Sequence, residues 1–189
     1  MVGCALLLSL LLLPLALADD LDPSTRALFD AVGADDAAGV RSSVASGASL
    51  NARFPGDGQT PLMRASLQGR AAAARELLAL GADATVGEKD GYTPLHGAAF
   101  QGRAEVARVL LADERVPNER HRDGFYPAHR ACWGRGDRYT DTLRVFLENG
   151  EPLDRRAGSG DTLLEVCRKT GNERSLDLLT QWGGAGEEL

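Results

Sequence analysis

A four-residue pattern returns along this chain at a constant interval, and that interval constrains the fold more than any other feature. Thr60-Pro61-Leu62-Met63, Thr93-Pro94-Leu95-His96 and Tyr126-Pro127-Ala128-His129 begin 33 residues apart. A fixed period of this length is typical of architectures in which each unit buries its apolar face only against its neighbours. The sequence therefore predicts a one-dimensional stack of similar units.

The clearest copy of the unit begins at Asp90-Gly91, a dipeptide that favours a tight turn. Thr93-Pro94 predicts a helix start, with a capping hydroxyl and a proline at the first helical position. Gly102 predicts the end of that helix. From Ala104 to Leu111 apolar residues recur at helical spacing, which predicts a second helix. Each unit should be a turn followed by two short helices that need neighbours for stability.

The pattern D-x-x-G-x-T-P-L-H-x-A-A-x-x-G, followed by V-x-x-L-L and G-A-D, resembles that of the ankyrin repeat family. In this chain Gly81-Ala82-Asp83 supplies the ending. The resemblance implies an all-α solenoid of about five helix-turn-helix repeats joined by hairpin-like loops. The implied ankyrin repeat domain covers 22–184, and its repeats are about 24–56, 57–89, 90–122, 123–158 and 159–184.

The outer repeats depart from the pattern as terminal caps are expected to. Asp22-Pro23 predicts the N-cap and first position of the opening helix, although that repeat lacks the tetrapeptide. In the last repeat Thr162 and Glu165 can form a capping box. The interval from Tyr126 to Thr162 is 36, and the extra residues are predicted to lie in the inter-helix loop at 134–140. The Gly-rich stretch after Trp182 predicts a disordered tail, 185–189.

Residues 1–18 resemble a secretory signal peptide, since an apolar run ends at Ala16-Leu17-Ala18 and cleavage is expected after Ala18. No lysine or arginine precedes that run, so an uncleaved anchor that makes the chain a membrane-tethered adaptor, or a mis-started gene, stays open. The final Gly186-Glu187-Glu188-Leu189 resembles a K-D-E-L retrieval signal. The expected location is thus secreted or the secretory-pathway lumen, including the endoplasmic reticulum, with no stable membrane insertion after cleavage.

Composition agrees with one globular domain and excludes one class of partner. Of the 189 residues 43% are hydrophobic, which suffices for a core. The 27 acidic side chains outnumber the 21 basic ones, and this balance argues against a nucleic-acid-binding domain. We expect a monomer that binds another protein.

The histidines and cysteines offer a rival, catalytic interpretation. The resemblance implies that His96 and His129 bond locally at helix starts, whereas His129 with Cys132 and Cys167 could form a zinc or redox site. A structural zinc site needs four ligands, and no clear fourth exists, so no metal and no cofactor is predicted. Packed helices lie about 8 to 10 Å apart, so the two cysteines are predicted to be core thiols, although a secretory compartment favours a bridge. Arg135-Gly136-Asp137 in the inserted loop resembles an integrin-binding motif, on three common loop residues.

The sequence also predicts a partner-binding surface, because the resemblance implies that certain repeat positions face a concave groove. The position after A-A is Leu67, Phe100 and Trp133, and the position before the tetrapeptide is Gln59, Tyr92, Phe125 and Asp161. The predicted partner-binding residues are Tyr92, Phe100, Phe125, Trp133, Leu67, Arg64, Arg130, Gln101, Arg120 and Arg122. Aromatic rings and arginines are favoured at binding hot spots, although some rings could only cover helix ends.

The hairpin tips at 119–122 and 154–156 would give this groove a basic rim. An anionic partner segment would suit such a rim, whereas solvated arginines are the alternative. The sequence therefore predicts a secretory-pathway protein-binding module without catalytic activity.

Overall fold

The computed structural model of the chain describes residues 21–185. The predicted signal peptide, its cleavage site and the last four residues lie outside the described residues. Within the described part ten helices and no strand are present: α1 Pro23–Gly33, α2 Ala37–Ala45, α3 Pro61–Gln68, α4 Ala71–Ala79, α5 Pro94–Phe100, α6 Ala104–Leu111, α7 Pro127–Ala131, α8 Asp137–Glu148, α9 Leu163–Thr170 and α10 Glu173–Ala185. None of these helices is both long and apolar enough to span a bilayer.

The helices form two parallel rows, and this confirms the predicted all-α solenoid. The odd-numbered helices α1, α3, α5, α7 and α9 contact one another in chain order, and the even-numbered helices do the same. Each repeat therefore contributes its first helix to one row, here called the inner row, and its second helix to the other, the outer row. Contacts run between successive repeats, as the periodic sequence predicts.

Helix starts follow the local sequence, with one exception. The Asp22 carboxylate accepts a bond from the backbone of Thr25 at 3.0 Å, and Thr60 caps α3 in the same way. Thr162 and Glu165 form the predicted capping box. The helix α5 begins at Pro94 as predicted, but the predicted capping bond is absent, because the Thr93 hydroxyl lies 2.8 Å from Nδ1 of His96.

The core runs between the two rows. The leucine of the tetrapeptide is buried at Leu62 and Leu95, and Leu28 of the first repeat and Leu163 of the last are equally buried. Phe146 of α8 is the largest of the fully buried side chains. Alanines at the A-A positions, such as Ala98 and Ala99, are fully buried and let neighbouring helices approach closely.

The repeats are joined by hairpin-like tips, each closed by a backbone bond of 2.8 to 3.0 Å. These bonds run from Phe54 N–H to Gln59 O, Glu88 N–H to Tyr92 O, His121 N–H to Phe125 O and Ala157 N–H to Asp161 O. Adjacent tips also bond, since Gly158 N–H donates to Gly124 O at 2.6 Å. A Cβ on Gly158 would lie 2.8 Å from Cα of Gly124, so this approach requires glycine.

Helices extend into two segments that the sequence predicts to be non-helical. The insertion at 134–140 lengthens α8, which begins at Asp137 and has 12 residues. Thr140 and Leu143, three residues apart, bury one continuous face, so helix is favoured over loop there. After Trp182 the helix α10 continues to Ala185, so the predicted tail begins later than residue 185, and for 186–189, outside the described residues, it stays a prediction.

A disulfide joins Cys132 and Cys167, so the prediction of two core thiols is wrong. Their Cα atoms lie 4.6 Å apart. The spacing of about 8 to 10 Å on which the prediction depends is that between helix axes, whereas a disulfide requires its two Cα atoms to lie within about 7 Å. Each Cα lies about 2.3 Å from its axis, so facing Cα atoms of helices packed about 8 to 10 Å apart come within about 5 Å. That separation suits a disulfide.

Candidate functional site

Two large apolar side chains remain exposed side by side on the inner row. Phe100, the last residue of α5, is 47% exposed, and Trp133, just after α7, is 39% exposed. Their rings meet edge to face with centroids 6.4 Å apart. They are the exposed large hydrophobic residues of the described chain, and both were predicted for the groove.

These rings form the rim of a cleft of about 360 Å³. Its lining consists of Gln59, Met63, Leu67, Glu88, Tyr92, His96, Gly97, Phe100, Gln101, Arg130 and Trp133. Six predicted site residues therefore come together here: Leu67, Tyr92, Phe100, Gln101, Arg130 and Trp133. Phe125 does not line the cleft but packs edge to face beneath Trp133 at 5.2 Å, so it supports that ring.

Sequence reasoning missed Met63, Glu88 and Gly97 as part of this cleft. Gly97 forms its floor, because a Cβ there would meet the ends of Met63 and Leu67 at 3.1 and 3.2 Å. A signal was present in the sequence, since the repeats on either side have arginine at the position that Gly97 occupies. Glycine at that position lets the ends of Met63 and Leu67 lie against the backbone of α5.

Arg130 lies inside an aromatic enclosure. Its guanidinium carbon is 4.1 Å from the ring centre of Trp133, 4.9 Å from that of Tyr92 and 5.2 Å from that of Phe125. The same group forms an ion pair with Asp123, and Arg130 is 3% exposed. The side chain thus contributes stacking and pairing within the protein, and little of its charge reaches solvent.

Asp123 is the electrostatic centre of this enclosure. It accepts bonds from the Tyr92 hydroxyl at 2.8 Å and from the backbone of Phe125 at 3.1 Å. Burial alone would raise the pKa of Asp123, but these bonds, together with His121 and the charge of Arg130, lower it to about 2. Burial and the bond to Asp123 raise the pKa of Tyr92. The carboxylate therefore stays ionised and holds the Tyr92 ring against the cleft.

Arg64, in the second repeat, has surroundings similar to those of Arg130 in the fourth repeat. Its guanidinium carbon lies 3.9 Å from the ring centre of Phe54 and 5.0 Å from that of Phe29. It pairs with Asp57 at 3.3 Å. Arg64 and Arg130 therefore both carry their own counter-ion.

The predicted basic rim is not continuous with the cleft. Arg120 and Arg122 line a separate opening beside the hairpin tip, together with Asp90 and His121. Within that tip His121 lies 3.0 Å from the backbone oxygen of Asp90. Arg130, the arginine that lines the cleft, is paired with Asp123 and therefore gives the cleft little free positive charge.

The rival catalytic cluster does not form an open site. His129, Cys132 and Cys167 are each fully buried, and the two sulfurs are bonded to each other. Burial lowers the pKa of His129 to about 4. Neither ring nitrogen of His129 makes a hydrogen bond to the described residues, because Tyr126 replaces the threonine that His96 bonds. The described part of the chain contains no group of three His, Cys, Asp or Glu side chains placed to hold a metal ion.

The Arg135-Gly136-Asp137 tripeptide makes structural contacts. Arg135 bonds the backbone oxygen of Thr170 at 3.2 Å, and Asp137 pairs with Arg174. Gly136 has a φ of 106° and precedes the first residue of α8. Its end charges therefore tie the fourth repeat to the fifth.

Comparison with known proteins agrees with the geometry. A family model described as ankyrin repeats, three copies, matches residues 28–121, which include the second and third repeats and most of the first. No curated protein matches the chain.

Proposed function

We propose that this chain, which belongs to the ankyrin repeat family, binds a partner protein through the cleft bounded by Phe100 and Trp133. Ankyrin repeats act as protein–protein interaction modules, so the coarse function follows from the family. The exposed rings on the inner row support the proposed location of that binding.

The observation that carries the proposal is the exposure of two adjoining rings in an otherwise buried row. Phe100 and Trp133 are exposed while the tetrapeptide leucines beside them are buried. Exposed aromatic side chains next to a concave cleft are typical of binding hot spots, since they bury large areas with little loss of conformational entropy. Rings that only covered helix ends would be buried as Phe125 partly is.

The test is affinity capture with the wild-type protein, followed by measured affinity of each captured partner for variants. Phe100→Ala and Trp133→Ala should each weaken binding by about 2 kcal/mol or more, with the far-UV circular dichroism unchanged. Arg144→Ala is the control, since Arg144 is exposed on α8 in the outer row. Equal affinity of all three variants would contradict the proposal, and loss of helical signal would show that the rings belong to the core.

We further propose that the protein acts without catalysis in an oxidising compartment of the secretory pathway. The disulfide supports this location, because such bonds persist in secreted proteins and are rare in the cytosol. Sequencing of the expressed protein should give Asp19 as its first residue. A chain that still begins at Met1 in a membrane fraction would instead favour the tethered adaptor.

A further inference from the structure

At one position of the tetrapeptide helix, the two repeats that flank the cleft share a residue that the central repeat lacks. The residue that directly follows the tetrapeptide is Arg64 in the second repeat, Gly97 in the third and Arg130 in the fourth. Two arginines thus stand on either side of a glycine.

The surroundings of Arg130 define what an arginine needs at this position. Its guanidinium stacks near Tyr92, Phe125 and Trp133. The residues one repeat earlier are Gln59, Tyr92 and Phe100, and all three line the cleft. The third repeat therefore keeps two of the three rings and replaces the side chain that would fill the space between them with glycine.

The acidic partners repeat as well. Asp57 pairs with Arg64 and Asp123 pairs with Arg130, each seven residues before its arginine. The equivalent residue of the third repeat is Asp90, which is exposed and forms no ion pair with any described residue. Glu88, in the cleft lining, likewise has no ion pair within the described chain. Of these two carboxylates only Glu88 lines the cleft, since Asp90 lines the separate opening beside the hairpin tip.

We propose that the cleft binds an arginine side chain of the partner protein, in the place that Arg64 and Arg130 fill from within in the neighbouring repeats. This inference rests on the proposed function and specifies its partner. Arginine fits better than lysine, because its planar guanidinium stacks on rings while it pairs with a carboxylate. The aliphatic stem lies along Met63 and Leu67 above Gly97.

The neighbouring arginines do not oppose this arrangement. Arg64 and Arg130 are each neutralised by a carboxylate of their own repeat. A third cation next to Glu88 completes a row in which each arginine has its own acid. The expected partner segment is therefore basic, which replaces the anionic segment suggested by the hairpin tips.

Nuclear magnetic resonance titration of the purified protein with N-acetyl-arginine methylamide tests the proposal. Saturable shifts should appear at Gly97, Tyr92 and Phe100. The citrulline derivative has the same shape without the charge and should bind about tenfold more weakly, as expected for loss of a cation from rings and a carboxylate. Equal binding of citrulline or of N-acetyl-leucine methylamide, or no saturable shift at these residues, would overturn the proposal.

Variants separate the charge of the cleft from its shape. Glu88→Gln should weaken the arginine probe several-fold, whereas Glu105→Gln, an exposed change on α6, should leave its affinity unaltered. Gly97→Arg requires the ends of Met63 and Leu67 to shift aside, and it should block the probe by supplying the guanidinium from within. If Gly97→Arg does not fold, the comparison of Glu88→Gln with Glu105→Gln decides alone, and equal affinity of those two variants for the probe would refute the assignment.

Two further outcomes would show that the partner protein does not supply an arginine to the cleft. Concentration-dependent association of the protein in sedimentation, abolished by Glu88→Gln, would make a second copy the source of the arginine and overturn a separate partner. If Trp133→Ala abolishes binding of a captured partner that the arginine probe cannot displace, the protein-binding function stands and this inference fails.

Discussion

The disulfide between Cys132 and Cys167 should set the stability of the last two repeats. It links residues 35 apart in sequence, and closing a loop of that length removes unfolded-state entropy equivalent to about 4 kcal/mol at 25 °C. For a domain of this size that corresponds to a fall in Tm of about 10 °C when the bond is absent. Few single changes elsewhere in the chain should match this effect.

Thermal and urea unfolding of three forms measures it: oxidised wild type, reduced wild type, and the double variant Cys132→Ala with Cys167→Ala. Reduced wild type keeps both sulfurs in the core, so its difference from the oxidised form isolates the covalent link. The double variant adds the loss of buried side-chain volume, and it should be no more stable than the reduced form.

Alkylation supplies the chemical control. After unfolding without reductant, peptides containing Cys132 and Cys167 should remain unmodified, and both should be modified once reductant is added. Coincident unfolding curves for the oxidised and reduced forms would refute the loop-entropy reasoning. Alkylation of both residues without reductant would refute the bond itself.

Three further predictions concern other parts of the fold. Burial lowers the pKa of His96 and of His129 to about 4, below the usual 6.5. Acidification from pH 6.5 to pH 4 should therefore reduce the free energy of unfolding by up to about 3 kcal/mol for each histidine. Replacement of both by glutamine should flatten this pH dependence in urea titrations. Gly158→Ala should destabilise the fold by about 1 to 3 kcal/mol, because the new Cβ meets the Gly124 backbone, and an unchanged Tm would show that the tips separate without cost. Thr162→Ala removes the capping box of α9 and should cost about 1 kcal/mol by chemical denaturation, whereas an effect below a few tenths would mean that tertiary packing alone holds this helix.

The sequence by itself determined the architecture of this protein. A 33-residue period and the helix-start signals at Asp22, Thr60 and Thr162 predict the repeat number and the helix starts. These features are local, since a cap or turn depends on residues a few positions away. The sequence also predicted Phe100 and Trp133 for the groove, because the resemblance to ankyrin repeats implies which repeat positions face it.

Tertiary structure alone decided which of these side chains remain free to bind. From the sequence, Arg64 and Arg130 are expected on a basic surface. In the structure each packs on aromatic rings and pairs with a carboxylate seven residues before it. The Cys132–Cys167 bond likewise depends on how closely two helices from different repeats approach. The stacking of Arg64 on Phe29, the stacking of Arg130 on Tyr92 and the disulfide each join residues of different repeats. Their distances are set by the packing of one repeat on the next, and no local pattern encodes them.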